Sequence, residues 1–121
     1  MAPRGLAPAL AAGCTIVLKP TEVAPMNAIL FTQILHEAGV PKGVFNVVTC
    51  SRDQVQEVGD ELIEHPYVKG VSFTGSTDVG RRVSEACAPA FKHCHLEMGG
   101  KNVILVMDDA RLDLAVEGAL W

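Results

Sequence analysis

The order of apolar runs along this chain is the feature that most constrains its fold. Short β-rich runs, such as residues 14–18 and 44–48, alternate with longer segments whose apolar residues recur at helical spacing. Such alternation requires right-handed crossovers and favours a mostly parallel sheet. The strand-like runs are almost continuously apolar, as expected where helices cover both faces. The pattern therefore predicts an α/β fold, a mostly parallel sheet flanked by helices.

The predicted elements follow this alternation. Strands are predicted at residues 14–18, 44–48, 68–74, 93–97 and 103–107. Helices are predicted from Thr21 or Glu22 to about residue 38, at 54–64 and at 77–87, and a last helix capped by Asp109 or Asp113 runs into Trp121. Residues 1–13 resemble a short signal peptide, but prolines interrupt the apolar run, so a short core helix is the preferred interpretation.

Composition excludes several classes of function. The 121 residues are enough for one domain with a core. A net charge of −4 and 5% aromatic residues argue against nucleic-acid binding. No apolar run is long enough to cross a bilayer. We therefore expect a small-molecule ligand, with no nucleic-acid or membrane partner.

The four cysteines indicate the redox compartment. Without a secretory signal they are interpreted as reduced thiols of the core, in a cytoplasmic protein. Their spacing matches no zinc pattern. In His93-Cys94-His95, adjacent residues of a strand point to opposite faces, so no metal site is predicted. The cysteines are Cys14, Cys50, Cys87 and Cys94.

A glycine turn joins a predicted strand to a predicted helix at residues 73–81. Ligands of open parallel sheets bind at the carboxyl ends of strands, and a helix N-terminus suits a phosphate. The pattern matches neither common phosphate loop, because Thr77 replaces a glycine of one and Arg81 replaces the lysine of the other. Asp78 would also repel a phosphate. Phosphate binding and an ordinary capped helix start both remain open.

A second glycine turn follows an acidic residue at a strand end, in Leu96-Glu-Met-Gly-Gly-Lys-Asn102. A carboxylate held there in a partly dry pocket is suited to act as a general base. The alternative is a strand that ends in a solvated Glu97 and a glycine turn. The residues of this segment alone leave both interpretations open.

Three segments in this order resemble the aldehyde dehydrogenase superfamily, in its hydrolytic branch. They are Leu18-Lys-Pro-Thr-Glu22, Phe73-Thr-Gly-Ser-Thr-Asp-Val-Gly80 and Leu96-Glu-Met-Gly-Gly-Lys101. The resemblance covers nearly everything after Leu6. It implies a partial NAD(P)-binding domain of the Rossmann type over residues 1–121, ending at the start of the catalytic domain.

The resemblance also implies a role for seven residues. Lys19 and Glu22 would hold the adenosine ribose, and Gly75 and Ser76 would contact the pyrophosphate. The remaining three would be Val79 near the adenine, Met98 at the nicotinamide end and Glu97 as the catalytic general base. A carboxylate at Glu22 repels a 2′-phosphate and favours NAD, although Lys19 leaves NADP open.

The implied reaction oxidises an aldehyde to a carboxylic acid. A cysteine thiolate attacks the aldehyde, hydride passes to NAD(P), and water activated by Glu97 hydrolyses the thioester. The nucleophilic cysteine is expected beyond Trp121, and the oxyanion asparagine before residue 1. We therefore expect an internal fragment, inactive alone, of a homo-oligomeric enzyme. The alternative is a non-catalytic nucleotide-binding or structural remnant of a truncated gene.

Overall fold

The computed structural model describes residues 5–120 of the chain. Residues 1–4 of the N-terminal segment, and the predicted run of the last helix into Trp121, lie outside this range. The α-helices are α1 (Leu6–Ala11), α2 (Met26–Glu37), α3 (Val55–Glu64), α4 (Thr77–Cys87) and α5 (Leu112–Leu120). The strands are β1 (Ile16–Leu18), β2 (Phe45–Val47), β3 (Gly70–Gly75) and β4 (His93–Met98), and two 3-10 turns span Arg52–Gln54 and Ala88–Ala90.

The strands form two short parallel sheets. In the first, β1 pairs with β2 so that Ile16 lies beside Phe45. In the second, β3 pairs with β4 so that Gly70 lies beside His93. Helix α2 connects the first pair and α4 the second, as parallel neighbours require. The predicted α/β class is confirmed, with its parallel strands divided between two sheets instead of joined in one.

The predicted strand at residues 103–107 is wrong. This run has no regular secondary structure, and Val103 and Leu105 are 79% and 82% exposed. A strand needs a neighbour to pair its backbone N–H and C=O groups. Among residues 5–120, no strand lies beside this run. The apolar composition of this run favours burial, but it does not by itself supply the neighbouring strand that a β-strand needs.

Helix α2 begins later than predicted. Its first residue is Met26 rather than Thr21 or Glu22, and the carbonyl of Pro25 accepts hydrogen bonds from the N–H groups of Ala28 and Ile29. Proline disfavours the helical conformation in the residue before it, so the helix cannot extend back through Ala24 without strain. Glu22 consequently lies in a turn between β1 and α2.

The core is small and lies mainly under α4. The buried apolar residues are Leu6, Phe45, Val83 and Cys87. In the first sheet the rings of Phe31 and Phe45 meet edge to face, with centroids 6.0 Å apart. No helix within residues 5–120 is both long and apolar enough to span a membrane.

The interpretation of the cysteines as core thiols is correct only for Cys87. Cys14 and Cys94 are exposed and Cys50 is half-buried, although all four are free thiols. Cys14 follows α1, and Cys94 lies near the start of β4. The apolar character of a thiol therefore does not decide its burial here.

Candidate functional site

The register of β3 and β4 brings five of the predicted site residues to one end of the second sheet. Gly75 lies beside Met98, and Glu97 lies beside Thr74. Ser76 follows β3 directly, and Val79 is in the first turn of α4. Gly75, Ser76, Val79, Glu97 and Met98 thus lie at or next to the carboxyl ends of β3 and β4. We call these five residues the strand-end cluster.

Ser76 caps the start of α4. Its backbone is extended (φ −70°, ψ 152°), and its Oγ accepts a hydrogen bond of 3.4 Å from the N–H of Val79. The carboxylate of Asp78 lies 3.6 Å from the Arg81 guanidinium along the exposed side of the helix. The other N–H groups of the first turn have no partner within the helix and carry the positive end of its dipole. The start of α4 is therefore a capped helix that still offers donors to an anion.

Gly80 lets α4 lie close to the sheet, and Gly75 makes room for the ring of Phe73 in its own strand. A Cβ on Gly80 would collide with the Met98 Sδ, and one on Gly75 would overlap the Phe73 ring. The Met98 side chain therefore lies against α4. Because successive side chains of a strand alternate, Glu97 points to the opposite face of the sheet.

The Glu97 side chain is largely exposed to solvent. Its side chain is 57% exposed, and its Oε1 is 3.7 Å from the His95 Nε2. An exposed pair of this kind adds little to stability. His95 shares the face of Glu97 because the two residues are two positions apart on β4. Sequence reasoning considered His95 only as a metal ligand and missed this contact, although strand alternation was enough to find it.

Lys19 and Glu22 lie in the other half of the fold, after β1. The Lys19 Nζ donates a hydrogen bond of 2.9 Å to the carbonyl of Pro20, and the Glu22 side chain is half-buried. No ion pair joins Lys19 to Glu22 among residues 5–120. Lys19 directly follows β1, at a strand end as predicted, whereas Glu22 lies in the turn after it. Neither residue is part of the strand-end cluster.

None of the seven predicted site residues lines the cleft that the first sheet forms with its helix. That cleft, of about 700 Å³, lies between α2 and β2 and is lined by residues such as Ile29, Phe45 and Val47. The strand-end cluster is instead an open surface. Within the described part of the chain, no group of three or more His, Cys, Asp or Glu side chains is placed to hold a metal ion.

The whole sequence, residues 1–121, matches the sequence model of the Aldehyde dehydrogenase family. The chain belongs to this family.

Relatives within the aldehyde dehydrogenase family are much longer than this chain. The succinate-semialdehyde dehydrogenase [NADP(+)] of Escherichia coli strain K12 is 52% identical over 120 residues, which are 99% of this chain and 24% of that enzyme. The chain thus spans about a quarter of the length of this relative.

Solved aldehyde dehydrogenase structures share the fold of this segment. A structure described as an E. coli NADP dependent enzyme matches with a TM-score of 0.88 at 53% identity, over 93% of this chain and 23% of that one. Aldehyde dehydrogenase C of Pseudomonas syringae, complexed with NAD+ and octanal, matches with a TM-score of 0.84 at 44% identity, over 94% of this chain and 23% of that one.

Proposed function

We propose that this chain is the nucleotide-binding part of an enzyme that oxidises an aldehyde to a carboxylic acid with NAD or NADP. The observation that carries the proposal is the strand-end cluster, where a capped helix start, a glycine and a carboxylate lie at the ends of two parallel strands. The relatives support it: one is named for NADP(+), and another is described in complex with NAD+ and octanal.

The cluster fits the pyrophosphate and adenine of a dinucleotide. Gly75 ends β3 and Ser76 caps α4 directly after it, so a phosphate bound here would lie at the start of the helix. Beside it, the free N–H groups and the dipole of α4 favour a negative charge. Val79, which is 43% exposed, offers an apolar surface to a base next to that phosphate. Bound there, the nicotinamide would supply the acceptor for hydride.

Lys19 and Glu22 fit the adenosine ribose. Within residues 5–120 the Lys19 ammonium donates only to the carbonyl of Pro20, which leaves donors for a ribose hydroxyl. The Glu22 carboxylate is suited to accept from ribose hydroxyls and repels a 2′-phosphate, so we expect NAD to bind more tightly than NADP. Lys19 reduces this preference for NAD, because its positive charge attracts the 2′-phosphate of NADP.

Glu97 is the proposed base of the hydrolytic step. Its carboxylate takes a proton from water as the water oxygen bonds to the acyl carbon of the thioester; the C–S bond then breaks, the cysteine leaves as a thiolate, and the acyl group is released as a carboxylic acid. Among residues 5–120, no cysteine lies beside Glu97: Cys94 points to the face under α4 and Cys87 is buried there. We therefore expect the 121-residue chain alone to oxidise no aldehyde.

Calorimetric titration of the purified chain with NAD+ and with NADP+ tests the nucleotide part of the proposal. We expect both to bind, with NAD+ the tighter. If neither binds a chain whose circular dichroism shows helix and strand, the chain has no nucleotide site of its own and the proposal fails.

The exposure of the Glu97 carboxylate favours a second candidate, a nucleotide-binding segment without a catalytic role. Such a segment binds NAD+ but leaves Glu97 without a function. Substituting Glu97 within a complete enzyme framework separates the two candidates. We also propose that the parent enzyme is a homo-oligomer and is located in the cytoplasm.

A further inference from the structure

The packing of α4 on β4 places two cysteines opposite one another. The buried face of α4 consists of Gly80, Val83 and Cys87. The face of β4 beneath it carries Met98 at one end and Cys94 at the other, because alternate residues of a strand share a face. Gly80 lies against Met98. A crossover helix runs antiparallel to the strands it connects. The C-terminal end of α4, with Cys87, therefore lies over the N-terminal end of β4, with Cys94.

A short turn between α4 and β4 joins Cys87 to Cys94. The 3-10 turn Ala88–Ala90 and Phe91, which has a left-handed φ of 50°, reverse the chain. The N–H of Lys92 then donates a hydrogen bond of 3.2 Å to the carbonyl of Cys87. Lys92 therefore lies beside the last residue of α4, and Cys94 follows it two positions later.

The two thiols differ in accessibility. Cys87 is 1% exposed, whereas Cys94 is exposed. Burial is the main cause that raises the pKa of the Cys87 thiol, and the neighbouring Cys94 raises it further. The charge of Lys92 lowers it. Cys94 is consequently the sulfur that a dissolved oxidant meets first, with Cys87 held behind it as a thiol.

We propose that Cys87 and Cys94 are a modification site that closes to an intrachain disulfide when the chain meets a peroxide. The Cys94 thiolate attacks one oxygen of hydrogen peroxide, the O–O bond breaks, and hydroxide leaves and is protonated to water. Cys87 then loses its proton and attacks the sulfenic sulfur of Cys94. The S–O bond breaks and a second water leaves. Two thiols are oxidised and one peroxide is reduced to two waters.

The pair is independent of the proposed nucleotide site. It lies at the C-terminal end of α4, whereas Ser76 caps the N-terminal end. Failure of nucleotide binding therefore leaves this inference intact, and failure of disulfide formation leaves the proposed function intact.

Tryptic mapping after peroxide treatment of the 121-residue chain tests the proposal. Cleavage after Arg82, Lys92 and Lys101 releases peptides 83–92 and 93–101, which carry one cysteine each. After the remaining thiols are alkylated, we expect these peptides as one linked species that separates on reduction. Titratable thiols should fall from four to two, because Cys14 and Cys50 stay free.

Matched variants identify the partners. Cys94→Ser alters an exposed side chain and should abolish the linked species, whereas the double variant Cys14→Ser/Cys50→Ser should retain it. Sulfinic acid at Cys94 beside an alkylated Cys87, or a link from Cys94 to another cysteine or to a second chain, would overturn the proposal. An equal yield in concentrated guanidinium chloride would overturn it too, since the folded packing would then contribute nothing.

Discussion

Lys19 is the residue on which the contact with the ribose most directly depends. A hydrogen bond from a charged donor contributes about 1.5–3 kcal/mol. Lys19→Ala should therefore weaken NAD+ binding roughly tenfold to a hundredfold in calorimetry. It should weaken NADP+ binding more, because the ammonium also attracts the 2′-phosphate.

Lys42→Ala is the matched control. It removes the same charge from an exposed position beyond α2 and should leave binding unchanged. Equal affinities of Lys19→Ala and the unsubstituted chain for both nucleotides would remove Lys19 from the site.

The buried Cys87 thiol should make the chain less stable in alkali. Burial raises its pKa above the ordinary value of 9.0, so the folded chain keeps a proton that the unfolded chain loses. Its contribution to stability is therefore complete below that value and is lost as the pH rises through the folded-state pKa. Urea denaturation should show a steeper alkaline fall in the free energy of unfolding than in Cys87→Ala, and equal slopes would contradict this.

Sequence reasoning located individual residues well where strand alternation and strand ends decide their position. Gly75, Ser76 and Glu97 lie at strand ends as predicted. Exposure was harder to predict, because it depends on which elements cover a residue. Leu30 and Ile34 of α2 are apolar but 52% and 60% exposed, since α2 covers only a two-stranded sheet.

At the scale of elements, α4 offers a substitution that separates folding from ligand binding. Ser76→Ala removes the cap and should lower stability by about 1 kcal/mol. Ser76→Asp keeps a capping oxygen and adds a charge that the helix dipole favours. That same charge repels a pyrophosphate, so Ser76→Asp should unfold like the unsubstituted chain yet lose NAD+ binding. Full binding by Ser76→Asp would show that the start of α4 is only a capped helix.

Elements with local boundary signals were predicted most closely. Helix α4 runs from Thr77 to Cys87 as predicted, because Ser76 caps its start and Pro89 follows its end. The strand at 103–107 failed because strand formation depends on a distant partner that the local pattern does not reveal. The division of the strands into two sheets was also not predicted, because it depends on which distant strands pair.

The whole molecule exposes much more surface than a compact protein of its size. Its accessible surface is 9654 Å². A compact monomer of 12.9 kDa exposes roughly 6,300 Å². The excess includes the apolar run at 103–107. In the longer relatives we expect other segments to cover these faces.

The isolated chain should therefore bind the dye ANS and self-associate in light scattering. Leu105→Glu places a charge in the exposed run and should reduce both effects. Glu85→Lys, on the polar side of α4, serves as the control and should not. A monodisperse monomer without ANS binding would contradict this prediction.

The proposed role of Glu97 is tested in a complete enzyme, and a chimera provides one. This chain would replace the matching segment of the E. coli succinate-semialdehyde dehydrogenase, to which it is 52% identical. The chimera should fold, bind the dinucleotide and turn over aldehyde, because the remaining three quarters come from that enzyme. It then allows the hydride and hydrolysis steps to be observed separately.

The decisive measurement is the time course of reduced nucleotide formation by the Glu97→Gln chimera. We predict a rapid burst of one equivalent of reduced nucleotide per site, because hydride transfer does not need Glu97. The steady rate that follows should be lowered roughly 10²–10⁴-fold, because hydrolysis of the acyl group lacks its general base. Glu85→Gln, an exposed change on α4, should behave as the unsubstituted chimera. Steady turnover by Glu97→Gln at the unsubstituted rate would contradict the assignment of Glu97 as the general base.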